Sequence, residues 1–421
     1  MKSLISSSVL VLINYFLLLI ISMLITSKGS AAVYGEFAYL VIMTNIASYI
    51  IECGLSKLVN QYLPLYIEKK QTAKIRGLFL FAMIVTCSST LIIFISVISA
   101  AWILQLNFYL LHAWHVFYIV LASFFLAWIR ICVAVINCTK SFVLSSIIYK
   151  AIYPFLLLTG VIIIFVVMHL PPQLEIHDLL FSYCVILNIN FLIGVFTLLA
   201  ITGYRWKEQH EIYVHSWFPE GVSYTINSLA LFATGSISIV ALQFYFPHQA
   251  MSGYFAAVYT ISSILYLFNT MTNRYYNPIV SALYYKKNYL DLHHALRERL
   301  GFILVLCVIF LTIMIGFGKA ILAIYGPTFI HFYPVLILLS MVIALTTLMG
   351  ISVFLMIICG EEKFCKLSQV SMLLANALLA FIFVPFSPIY GSLLALAIPL
   401  LLTSFLYVYR LSNNHKIHIF S

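Results

Sequence analysis

The sequence predicts an all-α polytopic membrane protein with twelve transmembrane helices in two six-helix lobes. Three observations predict it: the composition, the spacing of the apolar runs, and the sidedness of the basic residues. Of 421 residues, 64% are hydrophobic and 8% charged, whereas a soluble domain is about 45–50% apolar and about 25% charged. So few charges cannot cover a soluble surface, which excludes a soluble enzyme, a nucleic-acid-binding domain and a disordered chain. Aromatics reach 16%, as expected where Trp and Tyr anchor helices at the headgroups.

A helix needs about 20 apolar residues to cross a hydrocarbon core of about 30 Å. That ruler gives twelve spans, near 5–26, 37–59, 77–104, 116–137, 147–168, 179–202, 220–242, 251–275, 300–318, 333–358, 367–385 and 391–409. The first run is too long for the h-region of a cleaved signal, so it reads as a span. With the N-terminus in the cytoplasm, nineteen of the 22 Lys and Arg residues fall on the cytoplasmic side, from Lys2 and Lys57 through Arg297, Arg299 and Arg410 to Lys416. Lys28 and Lys319 fall outside, and Arg130 lies within a span. By the positive-inside rule, both termini are cytoplasmic and the net charge of +10 is topological, with no nucleic-acid partner expected. The longest loop, around Tyr284–Arg299, spaces Leu292, Leu296 and Leu300 helically among charged residues. It reads as an amphipathic helix lying on the membrane.

An offset of 218 residues aligns Gly35-Glu36-Phe37-Ala38 with Gly253-Tyr254-Phe255-Ala256, and Leu65-Tyr66 with Leu283-Tyr284. The matches imply a duplicated six-helix unit, with an N-terminal lobe over 1–210 and a C-terminal lobe over 211–421. Six is even, so both copies share one orientation, an arrangement in which transporters place the substrate path between the lobes.

Ionisable groups inside a bilayer are expensive and face a cavity or a partner. Glu52 and Arg130 are the two read as standing well inside spans, at similar depth. They make either a structural salt bridge or a site. In the second reading Arg130 meets a phosphate, which its planar donor fork suits, and Glu52 is a counter-charge or a proton or sodium-ion site. Lys57 and Arg274 sit at the cytoplasmic mouth, where they either snorkel or meet an anionic headgroup. Amides recur in the spans (Asn14, Asn45, Asn137, Asn188, Asn190, Asn227, Asn269, Asn273 and Asn376) and either bond sugar hydroxyls or pack helices. Asn14 and Asn227, each in the opening helix of a lobe, are the ones chosen as candidates. The twelve His and eight Cys include no HExxH or CxxC pattern, and no nucleotide-binding glycine motif occurs. Neither a catalytic residue nor a metal or other cofactor is expected.

Several segments, each in place relative to the spans, resemble one known family. They are Ala32-Val33-Tyr34-Gly35-Glu36-Phe37, Glu52-Cys53-Gly54-Leu55, and Met251-Ser252-Gly253-Tyr254-Phe255-Ala256 with Asn277-Pro278. Further along come Tyr325-Gly326-Pro327-Thr328-Phe329 with Pro334-Val335-Leu336, then Cys359-Gly360-Glu361-Glu362-Lys363 and Tyr390-Gly391-Ser392-Leu393-Leu394-Ala395. Over nearly the whole chain the pattern is similar to the polysaccharide-exporter (Wzx-type) branch of the multidrug/oligosaccharidyl-lipid/polysaccharide (MOP) flippase superfamily. The resemblance implies two six-helix lobes around a central cavity, in the bacterial inner membrane. It implies alternating access that moves undecaprenyl-pyrophosphate-linked oligosaccharide repeat units, O-antigen or capsule, to the periplasmic leaflet. The implied partners are that lipid-linked substrate, membrane lipids and a polysaccharide polymerase. Members of the family often carry several charged residues in the cavity, and this chain offers few. The alternatives are a cation-coupled drug antiporter of the same superfamily, which needs acidic cavity residues beyond Glu52, and an O-antigen polymerase or ligase, which needs a long outer loop. A lipid II flippase would have more helices and a strongly cationic cavity.

Overall fold

The computed structural model describes residues 2–103, 113–138, 142–167, 176–202, 210–247 and 249–417. Among them the regular structure is entirely helical. In order come α1 (Lys2–Lys28), α2 (Ala31–Glu52), α3 (Leu55–Glu68), α4 (Thr72–Ile103), α5 (Ala113–Cys138), α6 (Phe142–Ile147), a π-helical turn (Ile148–Ile152) and α7 (Tyr153–Val167). Then follow α8 (Ile176–Thr202), α9 (Val214–Tyr245), α10 (Met251–Ser262), α11 (Ile264–Tyr285), α12 (Tyr289–Tyr325), a 3-10 turn (Pro327–Phe332), α13 (Tyr333–Leu348), α14 (Ser352–Ile358), α15 (Glu362–Phe383) and α16 (Pro388–His415). They supply 12 segments long and apolar enough to cross a membrane. Large apolar side chains such as Ile92, Phe196, Phe302, Leu374 and Leu402 stand exposed along them. A water-soluble surface does not tolerate such a belt, and hydrocarbon does. This is a multi-pass membrane protein. Of the basic residues assigned to one side, Lys140, Arg205 and Lys207 lie outside the described residues.

The chain divides into two compact units, one of residues 1–21 and 36–232, the other of residues 22–35 and 233–421. In the first, α5 is the central helix, packed by α3, α4, α6 and α8. A core of Leu55, Leu58, Leu78, Phe81, Val135 and Trp217 closes one end of this unit. In the second, α13 packs against α10, α11, α12 and α16. There the Ser22 hydroxyl and the Tyr325 hydroxyl hydrogen-bond at 2.7 Å. Gly253 lies against the α2 start so closely that a Cβ on it would fall 1.8 Å from the Ala31 carbonyl oxygen.

Three helix boundaries differ from the sequence reading, each for a local reason. The second span ends at Glu52 and not near residue 59, because Cys53 and Gly54 turn left-handed, with φ of 47° and 66°. A Cβ on Gly54 would also meet the Gly221 carbonyl oxygen at 2.3 Å, so glycine is required twice over. The eighth span runs on to Tyr285, which puts Arg274 within a helix and not at its mouth.

The third difference is the expected surface helix. Residues 289–299 are the opening turns of α12, a single helix of 37 residues, about 55 Å long at 1.5 Å per residue. Leu292 and Leu296 do not lie on a membrane surface. They are fully buried, in a core shared with Tyr276, Val280, Met356 and Leu411. The buried stripe Leu292, Leu296, Arg299, Ile303, Cys307, Phe310, Met314 continues unbroken through the supposed loop boundary.

Candidate functional site

Helix α2 presents Asn45, Tyr49 and Glu52 at helical spacings, which sets all three on one face. Helix α5 is held beside α2 by the Ser123 hydroxyl, which donates to the Thr44 carbonyl at 3.0 Å. Two helical turns further along α5, Arg130 reaches that face. Its Nη2 donates to Asn45 Oδ1 at 2.8 Å, and its Nη1 meets Glu52 Oε2 at 3.5 Å. Its guanidinium lies 3.7 Å from the centroid of the Tyr49 ring, where a cation gains from the ring quadrupole. The fourth neighbour is Tyr149, on the π-helical turn, whose phenol lies close enough to interact electrostatically with the guanidinium. A π turn is a one-residue insertion in a helix and recurs at functional sites.

Glu52 has a second task. Its Oε1 accepts from the Ser56 backbone N–H at 3.1 Å, capping α3 immediately after the left-handed turn. Its side chain is only 4% exposed and that of Arg130 only 11%, so each charge offsets the cost of burying the other. The neutral contact to Asn45, at 2.8 Å, is shorter than the carboxylate contact, at 3.5 Å.

The sequence candidates separate on the structure. Arg130 and Glu52 meet. Lys57 lies past the turn on α3, its Nζ 5.8 Å from the Tyr224 ring centroid. Asn14 on α1 and Asn227 on α9 are half-buried in the same unit, and neither contributes to the contacts that hold Arg130. Arg274 belongs to the other unit, half-buried on α11.

Sequence reasoning passed over three features. Asn45 and Tyr49 complete the Arg130 site, and their spacing from Glu52 was the available signal. Glu220, expected at the very start of the seventh span, lies inside α9. It accepts from the Tyr62 hydroxyl at 2.9 Å. Burial first, and that carboxylate second, push the Tyr62 phenol up to about 12.

The largest omission is Arg299, counted as a loop cation and in fact 1% exposed. Its Nη2 donates to Asn269 Oδ1 at 2.9 Å and to Asn273 Oδ1 at 2.9 Å. Its Nε donates to Asn273 Oδ1 at 3.1 Å, and its Nη1 to the Leu348 carbonyl at 3.3 Å. Each of these acceptors is neutral. The signal for it was the apolar stripe of α12, on which Arg299 falls.

No protein-family model and no curated sequence matches the chain. Solved structures do. The chain is similar to a multidrug resistance MATE family transporter of the MOP superfamily in an inward-facing conformation, with TM-score 0.70, 12% identity and 96% of each chain covered. It is similar to the lipid II flippase MurJ in an inward closed conformation, with TM-score 0.70 and 12% identity over 97% of this chain and 88% of that one. It is also similar to a MOP superfamily transporter from Pyrococcus furiosus, with TM-score 0.57 and 12% identity over 99% and 95%. Across nearly its whole length the chain has the fold shared by these transporters and the lipid II flippase.

Proposed function

We propose that the protein is a flippase for undecaprenyl-pyrophosphate-linked oligosaccharide repeat units of O-antigen or capsule. It works by alternating access between lobes 1–210 and 211–421 in the bacterial inner membrane, with both termini cytoplasmic. The observation that carries this reading is Arg130, a largely buried guanidinium inside a span whose carboxylate contact among the described residues is long, at 3.5 Å. Such a fork donates to pyrophosphate oxygens in pairs. Glu52 is the counter-charge that holds Arg130 until the substrate arrives, while Asn45, Tyr49 and Tyr149 keep it aimed. Asn14 and Asn227 bond sugar hydroxyls along the path, Lys57 attracts the anionic headgroup at its entrance, and Arg274, within α11, meets it further in. The prenyl tail stays in lipid while the headgroup is sheltered, because unpaired polar groups in hydrocarbon cost several kcal/mol each. A polysaccharide polymerase would take the delivered units.

The fold supports a transporter of this class, since it occurs in a structure described as a lipid II flippase. It also occurs in multidrug transporters, so a cation-coupled antiporter using Glu52 is the second reading. Arg130→Ala separates the two. In cells that make the polysaccharide, the variant should reach the membrane, abolish surface polymer and accumulate lipid-linked single units inside. Normal export by a stably inserted Arg130→Ala protein removes the assignment. A drug-sensitivity phenotype without any change in polysaccharide favours the antiporter.

A further inference from the structure

Arg299 lies at a break in the tenth span. Helix α13 ends at Leu348, residues 349–351 turn, and α14 begins at Ser352. A helix end leaves carbonyls without intrahelical partners. Here the Leu345 carbonyl takes the Met349 N–H, the Thr347 carbonyl the Gly350 N–H, and the Met349 carbonyl the Ser352 N–H. The Gly350 carbonyl accepts from Asn273 Nδ2 at 3.4 Å, and the Leu348 carbonyl accepts from Arg299. A Cβ on Gly350 would collide with the Asn269 carboxamide at 2.3 Å, so glycine is what lets that amide reach the break.

Three neutral oxygens therefore converge at one point: Asn269 Oδ1, Asn273 Oδ1 and the Leu348 carbonyl. Neutral oxygens at the negative end of a half-helix are the set with which broken transporter helices hold a dissociable cation. In this chain the centre of the set is filled by a guanidinium. Among the described residues no carboxylate pairs with it.

We propose that Arg299 is a built-in monovalent cation, tethered in an oxygen cage that would otherwise bind a free one. The break in the tenth span is then held closed permanently and independently of the ionic medium. This inference concerns the second unit alone and does not depend on what the protein transports.

The test is thermal unfolding of the purified full-length protein and its variants in choline, sodium, potassium and low-millimolar guanidinium chlorides. Wild type should melt at one temperature in the first three salts and be unmoved by the guanidinium. Arg299→Ala should melt lower in choline and recover, saturably, with sodium, potassium or guanidinium, because a ligand that binds only the folded state raises its melting point. Arg299→Met fills the volume without a charge and should melt low in every salt. Arg299→Lys keeps a tethered cation and should melt above Arg299→Met with no salt response. The proposal is overturned if Arg299→Ala is equally destabilised in all four salts, or if Arg299→Met melts like wild type. It is overturned as well if Arg299→Lys and Arg299→Met melt alike, a comparison that stands even where the alanine variant does not fold.

Discussion

Arg130 and Arg299 face the same physical difficulty, a full positive charge among apolar helices, and meet it with different chemistry. Arg130 has a carboxylate at 3.5 Å, an amide oxygen at 2.8 Å and the face of a tyrosine ring. Arg299 has, among the described residues, amide and carbonyl oxygens as its hydrogen-bond partners. In the first unit the charge is paired with an opposite charge. In the second it is held among dipoles. The first arrangement suits the proposed site that hands its cation to an anion, and the second suits the proposed fixed joint.

The sharpest way to break this contrast is to remove the Arg130 charge alone. Arg130→Met leaves the buried Glu52 carboxylate without its counter-charge, and losing one member of such a pair costs about 3–5 kcal/mol. Adding Glu52→Gln should return most of that stability, read from melting temperatures of the single and double variants in detergent. Failure of the second substitution to rescue would mean that the pair is not coupled. Among the described residues no acid pairs with Arg299, so no comparable rescue is expected there.

Gly350→Ala should cost less, about 1–3 kcal/mol for forcing a methyl group into a filled space. It displaces Asn269 and so loosens one wall of the Arg299 cage while leaving Arg130 untouched. A wild-type melting temperature for this variant would show that the close approach at the break is dispensable.

The smallest effect belongs to an ion pair near a membrane surface. Glu361 accepts from Arg410 at 2.9 Å, and that hydrogen bond holds its carboxyl below the ordinary glutamate range. A carboxylate lowered in the folded state contributes its stability above its unfolded pKa and loses it as pH falls through the folded value. The melting temperature of wild type should therefore fall on acidification below the ordinary carboxylate range, and Glu361→Gln should make that fall shallower. Identical acid profiles would set this half-buried pair apart from the other two sites as electrostatically idle.

The parts of the molecule that the sequence revealed are those for which the bilayer sets a strict requirement. Twelve apolar runs each long enough to cross hydrocarbon left little freedom in the span count, and two charges within such runs drew attention to Glu52 and Arg130. Arg299 escaped because its neighbours Arg297 and Glu298 are charged and exposed, and composition averages over a helix face. The stripe from Leu292 to Met314 carries the information, in a period of three and four residues. The end of the second span at Glu52 depends on backbone φ at Cys53 and Gly54, and apolar side chains on both sides conceal it. Asn45 and Tyr49 were passed over for a different reason. An amide or a phenol in a span is affordable alone, so neither demands a partner in the way a charge does.

The π-helical turn at Ile148–Ile152 has a consequence for the Arg130 site. Each helical residue advances the chain by about 100° around the axis, so a turn with one extra residue rotates α6 out of phase with α7 by that amount. Tyr149 sits within the extra winding, and its stacking on Tyr153, with ring planes 11° apart, fixes where the offset leaves it. The bearing of a phenol on a guanidinium is in this way set by one supernumerary residue, as a vernier sets an angle, and not by the length or greasiness of the span that carries it.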